Sequence, residues 1–573
     1  MSTLTLEMCH LSFKKFCLTF LLLVLFGCGG GGSSTNVNNI STNIPTEPVS
    51  EPIKQPSIPE QRSTANAQAV CAAQLGRTIP ATDIGLSTNG ATITATGFTL
   101  ANDSGNTNGE YCQLSGRIVP IDTNAPDINF RLNLPTAWNS KALQFGGSNF
   151  NGVLITGEKG IPYVPNSIAP LSLGYATFGS DSGHQGSGGS FAQNEEALAN
   201  FSSLHIKKLR DVAIRLITDF YTVAPTKTYF AGSSTGGREG MRAIQQWPQD
   251  YDGAIVIAPQ LDFVGTRLKG MQIGRASYAS SGYINPVKRA LIRDAALTQC
   301  DILDGVADGI VSDVEGCRAL ESATLSSIAC AGGTDLGNSC LSTQQINTVR
   351  DVGETLQLSY PLANGVVDHP GFNILEGTVF DFGTSSTLLN PPTEAGNGQV
   401  FVNGDIWAKY FLKRDTAFDS ITLDPFNPGG DQARIATLSA QIDATSPDLS
   451  AFLARGGKLI LMHGLADATA SPNSTIDYYQ QVVARIGQLN VNKFIRFYTL
   501  PGFGHGQGVF NPNWDSLGVL DNWAANAVIP GPLLVTDTNV ATPGRTRPLC
   551  EFPRWPRYNN GSVDSANSYT CVL

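Results

Sequence analysis

Residues Thr228–Met241 read TYFAGSSTGGREGM, with two serines side by side at a glycine-rich turn. The run containing Tyr229 and Phe230 is β-like. The stretch GGREGMRAIQQW then supports a helix, with Met241, Ala243 and Ile244 available for an inner face. Between them, GSSTG matches G-x-S-x-G with Gly232, Ser234 and Gly236 in the fixed places. A serine lifted out of a sheet on so tight a strand-to-helix turn has a strained backbone and needs small neighbours. The helix N-terminus behind it favours negative charge on an attacked carbonyl. Ser234 is therefore the candidate nucleophile, and Ser233 fills the variable position. A phosphate-cradling loop would need Lys-Ser or Lys-Thr after the last glycine, whereas Gly237 is followed by Arg238 and Glu239. A five-residue match alone is weak in a chain with 60 glycines. The strand before it and the helix after it carry the argument.

A nucleophilic serine needs a histidine base and an acid that orients it, here in the chain order Ser, Asp, His. The chain has six histidines. GGKLILMHGLADATASP predicts a strand over Leu459–Met462 and a loop bearing Asp467. NKFIRFYTLPGFGHGQG predicts a strand over Phe494–Tyr498 and a glycine loop bearing His505. Both residues then sit beyond the carboxyl ends of strands, where open α/β sheets place their sites. His505 would take the proton from Ser234, and Asp467 would steady the imidazolium. His463 and His184 read as structural or supporting residues.

The elements that must hold these residues come from 573 residues, 41% hydrophobic and 15% charged. That length exceeds one minimal core and predicts a large domain with an insertion, or two domains. A net charge of −10, with no run of clustered Lys or Arg, excludes a polyanion such as nucleic acid as partner. At the N-terminus, Lys14 and Lys15 precede FCLTFLLLVLFG, an apolar run suited to a secretion signal over residues 1–27. The run ends in LFGC, which resembles a bacterial lipoprotein cleavage box and makes Cys28 the candidate lipidated residue. Phe26 is bulkier than that pattern prefers, and a plain cleaved signal is the alternative. Residues 28–68, rich in Gly, Ser, Asn and Pro, read as a flexible tether. A non-acidic residue after Cys28 favours an outer-membrane or cell-surface lipoprotein; otherwise the protein is periplasmic or secreted. Any membrane association is expected only through that lipid. Of 11 cysteines, Cys9, Cys17 and Cys28 lie in or at the end of the signal, and eight remain: Cys71, Cys112, Cys300, Cys317, Cys330, Cys340, Cys550 and Cys571. An even set in an exported chain implies disulfides. Sequence alone allows 105 pairings, although the cysteines fall into four local couples.

CDILDGVADGI places Asp301, Asp304 and Asp308 in one short loop with turn glycines. Carboxylates this close repel unless a hard cation lies among them, and oxygen donors point to calcium. The spacing is not that of an EF-hand. A solvated acidic turn is the alternative.

Taken together, WNSKALQFGGSNFNG, YATFGSDSGH, GSSTGGREGM, CDILDGVADGIVSDVEGC, GGKLILMHGLADA, LPGFGHG and RTRPLCEFPRWPRY resemble the tannase and feruloyl esterase family. That family includes the mono(2-hydroxyethyl) terephthalate hydrolases, and the resemblance runs from about Cys71 to Cys571. It implies an α/β fold: an α/β-hydrolase core over residues 69–259 and 447–573, with a lid domain inserted at 260–446. It implies a structural Ca2+ held by the side chains of Asp301, Asp304 and Asp308 and the carbonyls of Val306 and Ile310. It also implies the bridges Cys71–Cys112, Cys300–Cys317, Cys330–Cys340 and Cys550–Cys571. An oxyanion hole in such folds pairs the N–H after the nucleophile, here Thr235, with one from an earlier strand-end loop. The resemblance assigns the second to Asn149, with Ser148 lining the pocket.

One departure stands out. Most relatives bridge a cysteine before the nucleophile to one directly after the catalytic histidine. Here those positions are Ser233 and Gly506, which predicts a softer histidine loop held by packing and hydrogen bonds.

The function implied is a serine carboxylesterase acting on small esters of aromatic acids through an acyl-enzyme. Trp407, Tyr410 and Phe411 are candidates for an acyl pocket, or simply lid core. A free-carboxylate substrate would want a lid cation, for which Lys409, Lys413 and Arg414 are candidates without geometry. Terephthalate monoesters therefore rank below feruloyl or galloyl esters. The alternatives are an amidase or peptidase using the same triad, and a non-catalytic binding lipoprotein that kept the fold.

Overall fold

The structure is a computed structural model that describes residues 64–573. The signal segment, Cys28 and most of the tether lie outside the described residues. The helix Thr64–Ala72 begins inside the segment read as tether. Its anchor is Cys71, buried and bridged to Cys112.

A ten-stranded sheet gives the described chain its frame. β1 (Thr78–Ile79), β2 (Ala91–Thr99), β3 (Tyr111–Ile118), β4 (Ile128–Pro135), β5 (Lys141–Phe145), β6 (Ala176–Ser180), β7 (Lys227–Ser233) and β8 (Gly253–Ile257) precede residue 260. β9 (Leu356–Gln357) and β10 (Asp368–His369) form a small separate hairpin. β11 (Lys458–Gly464) and β12 (Ile495–Leu500) return to the main sheet. That ten-stranded sheet runs β1-β2-β3-β4-β6-β5-β7-β8-β11-β12. Its β1–β4 end and the β4–β6 junction are antiparallel, and β6-β5-β7-β8-β11-β12 is parallel.

The parallel strands read as near-continuous apolar runs because helices cover both faces. Alternate residues supply two different cores. Tyr229, Ala231, Ile255, Ile257, Ile460 and Met462 pack on one face with Leu517 and Leu520 of the helix Ser516–Asn526. Phe230, Ala254, Val256, Leu459 and Leu461 pack on the other with Met241 and Ile244 of the helix Thr235–Gln246. Each such fully buried Leu, Ile or Phe contributes about 1.5–3 kcal/mol relative to exposure. At the antiparallel end, β3 alternates between buried and more accessible residues, as a half-covered sheet does.

Residues 260–446 add no strand to this sheet. They hold the helices Phe263–Gly274, Pro286–Cys300, Thr343–Gly353, Gln399–Ile406 and Gln432–Ile442. Their starts follow local rules. Asp262 and Asn285 accept helix N–H groups, and Ser342 with Gln345 makes a reciprocal capping box. An aromatic cluster joins this segment to the rest: Phe263, Trp407 and Phe411 pack with Phe150, Phe191 and Phe201. Cys300–Cys317, Cys330–Cys340 and Cys550–Cys571 close the remaining bridges. No helix among the described residues is long and apolar enough to cross a membrane.

Candidate active site

The register sets the site. Ser233 lies opposite Ile257, Ile257 opposite Met462, and Gly464 opposite Leu500. β7, β8, β11 and β12 thus end together, and the loops after β7, β11 and β12 carry Ser234, Asp467 and His505. Ser234 has φ 56° and ψ −123°, a sparsely populated conformation for a residue with a side chain. Its N–H donates to the Ile257 carbonyl at 3.0 Å, and its own carbonyl accepts from Gln260 at 3.2 Å. The flanking glycines are a matter of space. A Cβ on Gly232 would lie 2.1 Å from the Gly236 carbonyl oxygen, and one on Gly236 would lie 2.5 Å from that of Gly147.

The three side chains form a relay. The Ser234 hydroxyl donates to His505 Nε2 at 2.9 Å, and His505 Nδ1 donates to Asp467 Oδ2 at 2.7 Å. Because an ionised carboxylate only accepts, it fixes the Nδ1–H tautomer and leaves Nε2 as a base. Asp467 is fully enclosed. Burial would raise its carboxyl pKa, but the charge of His505 and hydrogen bonds from His463 and His505 hold it well below the usual range. The backbone N–H groups of Thr469 and Ala470 bind the other oxygen at 2.8 and 2.9 Å.

His463 is the supporting residue of this acid. Its Nε2 lies 3.3 Å from Asp467 Oδ2 and 3.2 Å from the Ala470 carbonyl, both acceptors. Nε2 therefore carries the proton, and Nδ1 accepts from the Thr475 hydroxyl at 2.8 Å. His184 is elsewhere, stacked on Phe191 with ring centroids 3.7 Å apart, and burial pushes its pKa down to about 4.

Thr235 opens the helix behind Ser234, where the first N–H groups have no intrahelical acceptor. Its hydroxyl donates to the Asn149 carbonyl at 2.5 Å, so Thr235 and Asn149 are held side by side. Asn149 has φ 49°, a turn conformation that asparagine tolerates. The organiser of this loop was not legible in the sequence. Glu239, one turn into the elbow helix and fully buried, accepts the Gly147 N–H at 2.9 Å and the Asn151 side-chain amide at 2.5 Å. Its burial is outweighed by His205, Arg238 and the Gly147 N–H, which lower its pKa. Only the acid of GGREG hinted at it, as an anion buried behind a glycine turn.

The three cations considered for a free-carboxylate substrate are already engaged. Lys409 pairs with Asp405 at 2.9 Å and Lys413 with Asp431 at 2.7 Å, while Arg414 pairs with Glu195. Trp407 and Phe411 are wholly enclosed within the aromatic cluster, and Tyr410 is partly buried against it. Trp407 and Phe411 are thus packed as core, the second of the two roles the sequence offered them.

In the acidic loop, Gly309 donates to both oxygens of Asp301, and Val306 donates to Asp304. Asp308 accepts from Ile310 and pairs with Arg547 at 2.5 Å. Burial raises the Asp301 and Asp304 carboxyls, the latter to about 6, and the neighbouring acid charges add to it. The donor set fits a hard cation in chemistry: three carboxylates with one guanidinium among them. Among the described residues no three His, Cys, Asp or Glu side chains are gathered as a metal shell. A cation here would have to draw the three together.

A family model described as tannase and feruloyl esterase matches residues 112–572. The chain belongs to this family. An uncharacterized esterase of Agrobacterium fabrum is 41% identical over 520 residues, covering 88% of this chain and 94% of the relative. The mono(2-hydroxyethyl) terephthalate hydrolase of Piscinibacter sakaiensis is 28% identical over 527 residues, covering 81% and 85%. The crystal structure of feruloyl esterase B from Aspergillus oryzae superimposes with a TM-score of 0.70 at 24% identity, covering 88% of this chain and 100% of that one. The fold is that of the α/β-hydrolases, and the protein is a carboxylic ester hydrolase. The four disulfides among the described residues fit an exported protein.

Proposed function

We propose that this esterase cleaves small esters of aromatic acids with Ser234 as nucleophile, His505 as general base and acid, and Asp467 as the orienting carboxylate. What carries the reading is the continuous relay from Asp467 through His505 to the Ser234 hydroxyl, at 2.7 and 2.9 Å. His505 Nε2 removes the proton as Ser234 Oγ bonds to the ester carbon. The N–H groups of Thr235 and Asn149 donate to the oxyanion. On collapse the alcohol departs with the proton from His505, leaving an acyl-serine. Water, deprotonated by the same nitrogen, then releases the acid and restores Ser234.

Hydroxycinnamoyl and galloyl esters rank ahead of terephthalate monoesters. Of the cations considered for a free carboxylate, Lys409, Lys413 and Arg414 would each have to leave an existing ion pair. Calcium, where bound, would be structural: the carboxylates of Asp301, Asp304 and Asp308 and the carbonyls of Val306 and Ile310 would hold it. It would neutralise three crowded charges far in role from the ester chemistry. We also read the protein as anchored by lipid at Cys28, on the strength of the LFGC pattern after the apolar run.

The test is hydrolysis of methyl ferulate, methyl gallate and mono(2-hydroxyethyl) terephthalate by the wild type and Ser234→Ala. The expected result is turnover of the first two that falls by at least about 10,000-fold in the variant. Turnover that survives Ser234→Ala would remove this serine from the mechanism.

A further inference from the structure

With Ser233 and Gly506 flanking the relay, nothing covalent ties the histidine loop to the elbow. An aromatic ring takes up that space. Tyr163 lies edge-to-face on His505, with ring centroids 5.2 Å apart and planes at 76°. The same ring fills the room beside Gly506, whose φ is +92°. A Cβ built there would meet three of its carbons at 2.8, 3.0 and 3.2 Å. Tyr163 therefore touches both the imidazole and the turn that follows it.

Three features show that the ring is held in place. Tyr163 itself has φ 61°, a conformation costly for an aromatic residue and kept only where the surroundings impose it. Ile161 and Val164 on either side are buried in the core beneath the site, and Val164 N–H closes a turn onto the Ile161 carbonyl. The same segment is tied through Glu158, which accepts from Gln113 at 2.7 Å. At its other end the ring meets the nucleophile side. Tyr163 and Ser233 share the wall of a cavity of about 520 Å³ that also borders Gly146, Gly147 and Ser148. Burial raises the phenol pKa to about 12, with the Asp467 charge adding to it. Ser234 and Ser233 act the other way and lower it.

We propose that Tyr163 is the positioning residue of His505: its ring, braced on buried neighbours, wedges the imidazole and the Gly506 turn so that Nε2 stays on the Ser234 hydroxyl. The ring does by packing what a covalent link between positions 233 and 506 would do. This rests on the Ser234–His505–Asp467 reading. A misplacement of about 1 Å at such a base costs about 100-fold in rate.

The test compares Tyr163→Gly with Tyr163→Phe on whichever ester the wild type turns over. Glycine removes the ring and also relieves the left-handed backbone. Phenylalanine keeps the ring and removes only the hydroxyl. Tyr163→Gly should lose about 30- to 100-fold in kcat with KM within about threefold, and Tyr163→Phe should stay within about threefold in both. Thermal melts of both variants are run alongside. Tyr163→Asn, an asparagine being at ease in a left-handed turn, replaces the glycine variant if that one does not fold.

The proposal is overturned if the ringless variant keeps its kcat, or if its loss falls on KM, which would make Tyr163 a substrate contact. It is equally overturned if Tyr163→Phe falls as far as Tyr163→Gly, since the hydroxyl and not the ring would then be at work. Wild-type turnover lost in Ser234→Ala is the paired control. Its absence would sink the triad reading together with this one, whereas Ser234-dependent turnover indifferent to Tyr163 would sink only this one.

Discussion

Asp467 is the most constrained side chain of the site, with two histidines on one oxygen and two backbone N–H groups on the other. Its ionised form is worth stability because its folded pKa lies below the unfolded value of about 3.9. That contribution is present above the unfolded pKa and is lost as the pH falls below it. Asp467→Asn keeps the shape but can offer an N–H to His505, which would turn the imidazole to the tautomer that has no base facing Ser234. We expect kcat to fall about 10,000-fold with the fold intact, measured on methyl ferulate with circular dichroism alongside. A variant within tenfold of wild type would mean that another group orients His505.

Two elements carry opposite electrostatics. The elbow helix is pinned by Arg238, whose guanidinium donates to the carbonyls of Ser202 at 2.7 Å, Ile442 at 2.9 Å and Phe201 at 3.3 Å. It thereby links the helix to the end of the segment 260–446, and burial pushes its pKa down to about 10. The acidic loop is the opposite case, with raised carboxyls and a single guanidinium at Asp308. If Ca2+ binds there, adding it at about 100 times its Kd stabilises the fold by about 2.7 kcal/mol. The chelator-treated protein should therefore melt several degrees lower than the calcium-loaded one, and Asp304→Asn should shrink the difference. Superimposed melts with calcium and with chelator would dismiss the site. Activity of the melted-and-restored protein is not needed to read the result.

On the scale of the whole molecule, four bridges join parts of the chain that the sheet leaves loose. Cys71–Cys112 fastens the first helix to β3, and Cys550–Cys571 fastens the end of the strand Thr546–Leu549 to the strand Tyr569–Val572. Such bridges persist in oxidising compartments. With the apolar run before Cys28, they lead to a prediction about where the enzyme resides. In fractionated cells the full chain should travel with the membranes, and Cys28→Ser should release it to the soluble exported fraction. Wild type and variant appearing together in the soluble fraction would leave a plain cleaved signal.

The sequence by itself determined whatever depends on short-range pattern. G-x-S-x-G between a β-like run and a helical one marks Ser234, because a strained turn permits few residue types beside it. Apolar runs ending in loops mark Asp467 and His505, although β11 and β12 extend beyond the predicted strands, to Gly464 and Leu500. Those last residues gain their strand geometry from pairing with each other. Tertiary structure alone decided what depends on distant segments meeting. Glu239 binds the loop of Gly147 across 92 positions, and Tyr163 reaches His505 from a stretch with neither helix nor strand. Lys409, Lys413 and Arg414, which the sequence offered without geometry, are paired in the fold. Likewise Trp407 and Phe411, equally suited to a pocket or a core, were assigned to the core by Phe150, Phe191 and Phe201. A local motif fixes which residue can act, because backbone strain and helix polarity are local. Which neighbours brace it is set by close packing between elements, and no spacing along the chain encodes that.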